Sequence, residues 1–189
     1  AAAVNYPNYA RDHTRIALYK GEIAGALRLT SDTVRIGEAR LKMGGLGFIT
    51  TAPQHRQEGI ARILIGATQR YMREHGYHVS MLFGIPNFYG QFGFATTIAG
   101  YSTTIQVAEA MRAVHAPYRI RDGRPSDIPV LQKRHEANDA ETTCSTSRHA
   151  AHISSKWDRF RAVRVLTNEQ GKIVAYFLPA PSQDELRIE

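Results

Sequence analysis

A single cysteine and a single tryptophan occur in 189 residues. The lone thiol, Cys144, excludes an internal disulfide and leaves no cysteine cluster for zinc; it reads as an inert thiol in a reducing compartment. No apolar run approaches the ~20 residues that a membrane span takes, and the opening Ala1-Ala2-Ala3-Val4-Asn5 has neither the basic flank nor the apolar centre of an export signal. A soluble, cytoplasmic chain with no membrane partner is therefore expected. The eight histidines show no ligand spacing, so no metal is expected either. Zinc fingers, an RNA-binding aromatic pattern and a lysine-rich arm are also missing. The net charge of +7, from 24 Lys and Arg against 17 Asp and Glu, is scattered along the chain. That balance favours anionic partners in general, and without a nucleic-acid motif a phosphate-bearing small molecule is the expected one, not nucleic acid.

What is present is enough apolar residue, 43% of the chain, for one sizeable core or for a domain plus part of another. Thr14 to Tyr19 and Glu22 to Leu29 are apolar-rich runs joined by Lys20-Gly21, which predicts a tight antiparallel hairpin. Thr33 to Arg40 alternates Val34, Ile36 and Ala39 with charged residues and reads as a third strand. Leu46 to Thr51 reads as a fourth, stopped by Ala52-Pro53. From Gly59 the period becomes helical: Ile60, Ile63, Leu64, Ala67 and Tyr71 share a face, Arg62, Gln69, Arg70, Arg73 and Glu74 lie largely opposite, and Gly76 ends the helix. His78 to Phe83 is then a fifth strand that the intervening helix allows to run parallel to the fourth. A short helical turn over Asn87 to Phe92 and a β-rich stretch from Tyr101 to Val107 follow.

Near Ala116-Pro117 the pattern restarts. Tyr118 to Arg121 predicts a short strand, and Arg124 to Leu131 opens a helix with Ser126 or Asp127 as its cap. Thr142 to Ser147 reads as a polar loop, with a helix around Trp157 after it. Val163 to Thr167 and Lys172 to Phe177 form a hairpin through Asn168-Glu169-Gln170-Gly171, an echo of the first one.

The chemistry concentrates in Gln54-His55-Arg56-Gln57-Glu58-Gly59-Ile60-Ala61-Arg62. A strand ending in a loop that carries Arg56, with Gly59 opening a helix, aims unpaired backbone N–H groups and the positive helix end at one point, which suits a diphosphate. Gly59 admits close approach, Ala61 keeps the next turn narrow and Arg56 adds charge. Taken alone, Arg-x-x-Gly-x-Ala also describes an ordinary strand-to-helix loop.

The whole segment from Leu46 to Phe94 resembles the GCN5-related N-acetyltransferase (GNAT) superfamily. The resemblance rests on Ile49 to Ala61 with its Arg-x-x-Gly-x-Ala, on Gly76-Tyr77, and on Phe88-Tyr89-Gly90-Gln91-Phe92-Gly93-Phe94. It implies an α/β fold, a mostly antiparallel sheet with flanking helices, in which the fourth and fifth strands splay apart and acetyl-CoA enters as co-substrate. Carried over by position, Phe48, Ile49, Thr50 and Thr51 offer backbone groups to pantetheine and the acetyl carbonyl. Arg56, Gln57, Glu58, Gly59, Ile60, Ala61 and Arg62 line the pyrophosphate. Acetyl transfer asks for a neutral amine, a polarised carbonyl and a proton for the leaving thiolate. A main-chain N–H near Ile49 answers the second need. Tyr89 is the candidate for the third, since a phenol of pKa about 10 can protonate a thiolate of about 8.5 within hydrogen-bond reach; packing beside Phe88 and Phe92 is its alternative role. Asn87 either binds cofactor or caps the short helix. No glutamate lies between Leu46 and Thr51 to act as base. Glu38 could reach the cleft through water or merely face solvent, and His55 beside Arg56 reads as a loop contact.

The second half resembles the start of another acetyltransferase-type domain, through Arg124-x-x-Asp127-Ile128-x-x-Leu131 and Gly171 to Tyr176. A GNAT domain over 1–116 and a degenerate second one over 117–189 are therefore expected. Tandem domains of this kind look like the Eis-like (enhanced intracellular survival) branch, whose members acetylate aminoglycosides or protein lysines and often form homo-oligomers. The resemblance thus implies an N-acetyltransferase acting on a primary amine of a small molecule or lysine. A degenerate acyl-CoA-binding or protein-interaction module is the alternative. The opening strand and helices of the superfamily and a third domain have no counterpart here, so a piece of a longer protein is expected.

Overall fold

The computed structural model describes residues 10–97, 104–113, 117–147, 163–180 and 187–188. In chain order their strands and helices are β1 (Thr14–Tyr19), β2 (Glu22–Ile36), β3 (Ala39–Thr51), α1 (Ile60–Glu74), β4 (Val79–Met81), α2 (Val107–Ala110), β5 (Arg119–Asp122), α3 (Ile128–Glu141), β6 (Ser145–Ser147), β7 (Arg164–Thr167), β8 (Ile173–Phe177), β9 (Pro179–Ala180) and β10 (Arg187–Ile188). The chain divides into two units, Ala1–Ala95 with Asn138–His149 and Thr96–Ala137 with Ala150–Glu189. No helix among the described residues is long and apolar enough to cross a membrane.

In the first unit the sheet runs β1-β2-β3-β4, with β6 also on β2. Lys20 and Gly21, at φ 50° and 86°, make the left-handed turn that the right-handed twist of a two-residue hairpin requires. β2 then continues for 15 residues to a second turn at Gly37-Glu38, and β3 returns antiparallel along it. The expected third strand, Thr33 to Arg40, is thus the end of β2, that turn and the start of β3. The Val34-x-Ile36 step reads as strand, but Ile36 pairs with Ala39 across the turn, and the three-residue step between them is the reversal. β6 is a second correction, lying inside the expected polar loop Thr142 to Ser147. It has no apolar residue; it is held by pairing to Thr33–Arg35 and by Arg40, whose guanidinium donates to the Ser147 hydroxyl at 3.1 Å.

Helix α1 buries Ile60, Leu64, Ile65, Thr68 and Met72 against Ala24, Leu27, Leu29 and Leu46. The expected face was rotated by about one residue: Ile63 is 62% exposed and Ile65 fully buried. Ile63-Leu64-Ile65 is a continuous apolar triplet, so period alone cannot choose its flank. Bare backbone in the sheet decides it, since Ile60 and Leu64 lie over Gly25 and Met72 over Gly44. The helix ends as expected, with Gly76 left-handed and the Tyr77 N–H bonded back to the Met72 carbonyl at 3.0 Å. That crossover brings β4 parallel to β3.

In the second unit β5, β7 and β8 form an antiparallel sheet. Leu131, Val163, Val165 and Ile173 are its core, with Ile128, Tyr176 and Leu178 packed on them. Asp127, at the entry to α3, accepts the Arg124 N–H at 2.8 Å and both forks of Arg121 at 2.7 and 3.0 Å. Thr104 to Gln106 is not strand, and Val107 opens the single turn α2, so the described part of the expected β-rich stretch is corrected. The helix expected around Trp157 lies outside the described residues.

Candidate active site

Strand β4 stays with β3 only over Met43–Gly45, facing Val79–Met81. Beyond Gly45 strand β3 runs on to Thr51 while the chain after Met81 leaves the sheet, so among the described residues that edge of Leu46–Thr51 carries no ladder. On the other edge, pairing with β2 goes from Arg28 opposite Gly47 to Ala26 opposite Thr50. Phe48 and Ile49 have no Cα partner between those points. The interruption is a β-bulge, with Phe48 at φ 52°. It changes which residues face α1: Leu46 and Ile49 both pack toward the core, and Phe48 is turned out, 72% exposed, under the Arg28 guanidinium at 4.4 Å from its ring centre. The bulge leaves Phe48 and Ile49 without a Cα partner on β2, at the position where the resemblance puts the carbonyl-polarising N–H.

From Thr51 the chain passes through Ala52 and the 3-10 turn Pro53–His55 to the exposed loop Arg56-Gln57-Glu58-Gly59. Gln57 and Gly59 are both left-handed, φ 67° and 78°. No side chain caps α1 and no acidic residue stands in its first turn. The first turn of the helix thus presents N–H groups and positive dipole without a carboxylate of its own, Glu58 standing just before the N-cap. His55 and Glu58 bond to each other at 3.0 Å, and His55 packs on Tyr19 with ring centres 5.0 Å apart, so His55 is the loop contact expected of it. Arg56 points from the exposed loop. Arg62, in the first turn of α1, donates to the Gln91 side-chain oxygen at 2.8 Å and lies 5.2 Å from the Phe92 ring centre.

Tyr89 begins the 3-10 turn Tyr89–Phe92, shorter than the expected Asn87 to Phe92. Asn87 precedes it, exposed and left-handed at φ 61°, a backbone state that asparagine tolerates. The Tyr89 ring is half-buried among Phe88, Phe92 and Phe94, with centroids 5.0, 6.4 and 6.2 Å away. A Cβ on Gly84 would overlap the ring, so that glycine provides its seat. Its hydroxyl has no hydrogen-bond partner among the described residues. Glu38 is in the β2–β3 turn, and the 13 residues of β3 separate it from Thr51, roughly 40 Å at about 3.3 Å per residue. Of the two readings of Glu38, the solvent-facing one stands, since it is exposed in that turn and remote from the cleft.

Gln69, which the sequence reading put on the solvent side of α1, and Gln91, which it gave no role within the Phe88–Phe94 segment, belong to the site's frame. Gln69 donates from its side-chain nitrogen to the Phe92 carbonyl at 2.8 Å, and Gln91 donates to the Phe88 carbonyl at 3.1 Å. Neither glutamine has a sequence signal, because both bonds go to main-chain oxygens of a turn whose position is set by tertiary structure.

The described residues fit acetyl-CoA on observations of the chain itself: among them the β3 edge is unpaired, for a strand-like pantetheine, the helix start is uncapped, for phosphate, and a Cβ on Gly59 meets nothing within 4 Å.

A family model described as an acetyltransferase (GNAT) domain matches residues 3–97. The N-acetyltransferase Eis of Mycobacterium tuberculosis (strain ATCC 25177 / H37Ra) is 30% identical over 82 residues, 43% of this chain and 20% of that protein. Among solved structures, a GCN5-related N-acetyltransferase from Anabaena variabilis has a TM-score of 0.71 at 18% identity, over 98% of this chain and 50% of its own. Eis1 from Mycobacterium abscessus has a TM-score of 0.64 at 18% identity, over 99% and 51%. The match thus spans a fifth of the curated relative and about half of either structure.

Proposed function

Because the chain belongs to the GNAT acetyltransferase family, we propose that it moves an acetyl group from acetyl-CoA to a primary amine by direct attack. The amine is carried by a small molecule, an aminoglycoside or a lysine side chain. The bulge at Phe48 on an unpaired strand edge is the observation that carries this reading. Acetyl-CoA supplies the activated acetyl group; the chain's part is to hold and polarise it and to move protons. Main-chain groups of Phe48, Ile49, Thr50 and Thr51 hold the pantetheine arm, and the N–H near Ile49 polarises the thioester carbonyl. The loop Arg56-Gln57-Glu58-Gly59 and the first turn Ile60-Ala61-Arg62 hold the pyrophosphate. The amine nitrogen bonds to the carbonyl carbon as the carbon–sulfur bond breaks, and the Tyr89 phenol gives its proton to the departing sulfur. The proton lost by the amine returns to the phenolate through solvent. Asn87, left-handed at the entrance to the Tyr89 turn, contacts the cofactor on the same side. Residues from Pro117 onward form a second, degenerate domain, a reading supported by the separate sheet of β5, β7 and β8 and its core, while Asn138–His149 with β6 belongs to the first unit.

A non-catalytic acyl-CoA-binding or interaction module is the second reading. It is favoured by the lack of any carboxylate from Leu46 to Thr51 and by the remoteness of Glu38. Thiol release from acetyl-CoA with a panel of amines, including aminoglycosides and lysine peptides, separates the two. Tyr89→Phe is expected to lower turnover by about a hundredfold while leaving acetyl-CoA binding intact. Wild-type turnover in that variant would refute the acid role.

A further inference from the structure

The Tyr89 hydroxyl has no hydrogen bond among the described residues to fix its height, so the phenol is placed through the turn that carries it. The turn closes on itself through Gly93 N–H to Gly90 carbonyl at 3.1 Å and Phe94 N–H to Tyr89 carbonyl at 3.4 Å, which sets its shape and not its place. Its place is set from α1, by Gln69 on the Phe92 carbonyl and Arg62 on Gln91. The Gln69 bond is the part-buried one of the two; the Arg62 bond is exposed. Along the helix the two anchors are about 10 Å apart at about 1.5 Å per residue, and Arg62 alone shares the turn that meets the phosphates.

We propose that Gln69 is a positioning residue for the acid: by holding the Phe92 carbonyl it fixes the Tyr89–Phe92 turn against α1 and keeps the phenol where the departing sulfur needs it. The inference rests on Tyr89 being the proton donor. One helix then both receives the cofactor, at its first turn, and places the acid, two turns later. Since a misplacement of about 1 Å can cost roughly a hundredfold in rate, a single lost bond at Phe92 is enough to show in turnover.

Gln69→Met keeps the side chain's length and removes the donor. On the complete chain it is expected to lower kcat about tenfold, with the KM and Kd for acetyl-CoA unchanged. Added to Tyr89→Phe it should lower kcat no further, because a residue that acts only through the phenol has nothing left to place. Gln69→Glu, of the same shape and without the donor, is read in the same way should the methionine variant fail to fold, and Gln69→Lys, which keeps a donor, should restore most of the rate. A loss that appears in KM, or that multiplies with Tyr89→Phe, overturns the positioning role and leaves the acid role standing. Full activity in Tyr89→Phe overturns both.

Discussion

Gly59 separates fold from function because its two contributions can be perturbed independently. It stands before α1 at φ 78° and ψ 8°, in the left-handed region where an ordinary L residue loses roughly 1–2 kcal/mol. A methyl group built there meets no heavy atom within 4 Å, so Gly59→Ala adds strain and no clash. At about 4–8 °C per kcal/mol for a domain of up to 100 residues, a fall in melting temperature of roughly 5–15 °C follows. Asparagine tolerates the left-handed region, so Gly59→Asn should cost only a fraction of that. Binding responds differently. The open space beyond Gly59 is where the diphosphate is proposed to lie, and both side chains put atoms into it. Acetyl-CoA affinity should therefore fall by about tenfold or more, roughly 1.4 kcal/mol, in both variants despite their different stabilities. Thermal unfolding and titration calorimetry on the same preparations read the two effects. A Gly59→Asn variant that binds acetyl-CoA as tightly as the parent would show that the phosphates do not lie against this turn.

Gly25→Ala would bring a Cβ to 2.7 Å from Ile60 Cγ2 and 2.8 Å from the Thr50 carbonyl oxygen, and the latter cannot yield without moving β3. A destabilisation of about 1–3 kcal/mol in urea unfolding is expected, with weaker acetyl-CoA binding as the first turn of α1 is displaced. In the second unit, the Arg121 fork on Asp127 holds that carboxyl below its ordinary value of 3.8, outweighing the opposing effect of burial. The unfolded chain then binds the proton at higher pH than the folded one. Stability from this pair is thus fully present above about pH 4 and is lost as pH falls through the lowered folded value. Asp127→Asn should cost roughly 1–2 kcal/mol at neutral pH and flatten the acid limb of the stability curve; an unchanged limb would contradict the pairing.

How much of this could be read beforehand follows from how local each cause is. The hairpin at Lys20-Gly21, the helix stop at Gly76 and the second hairpin at Asn168 to Gly171 are written in a few adjacent residues, and all three stand in the structure. The left-handed Gly59 ahead of α1 is legible for the same reason, since a single glycine carries it. The turn at Gly37-Glu38 was hidden because Val34 and Ile36 begin an alternation that Ala39, a weakly apolar residue three positions on, does not plainly break. β6 was hidden because Ser145-Thr146-Ser147 brings no apolar residue, only backbone and hydroxyls, to an edge supplied by distant β2. The buried side of α1 was off by one residue because the deciding groups, Gly25 and Gly44, belong to other strands.

The bulge is the least legible feature and the one on which the proposed chemistry depends most. An unbroken period of two from Leu46 would turn Phe48 inward and Ile49 outward. The observed strand does the reverse, and a left-handed phenylalanine at φ 52° is the local cost. Part of that cost is offset where it arises, because the outward ring receives Arg28 at 4.4 Å, a contact of about 0.5–1 kcal/mol at an exposed site. The remainder is carried by the core, as Ile49 packs against the cluster of Leu46, Ile60 and Leu64. A sequence scan sees in Leu46-Gly47-Phe48-Ile49 only an apolar run, because the signal for the bulge is a mismatch between this run and the helix across the sheet. The bulge at Phe48 and Ile49 thus goes with the packing of Ile49 against α1, the same helix whose Gln69 holds the turn bearing Tyr89 and whose first turn is proposed to meet phosphate.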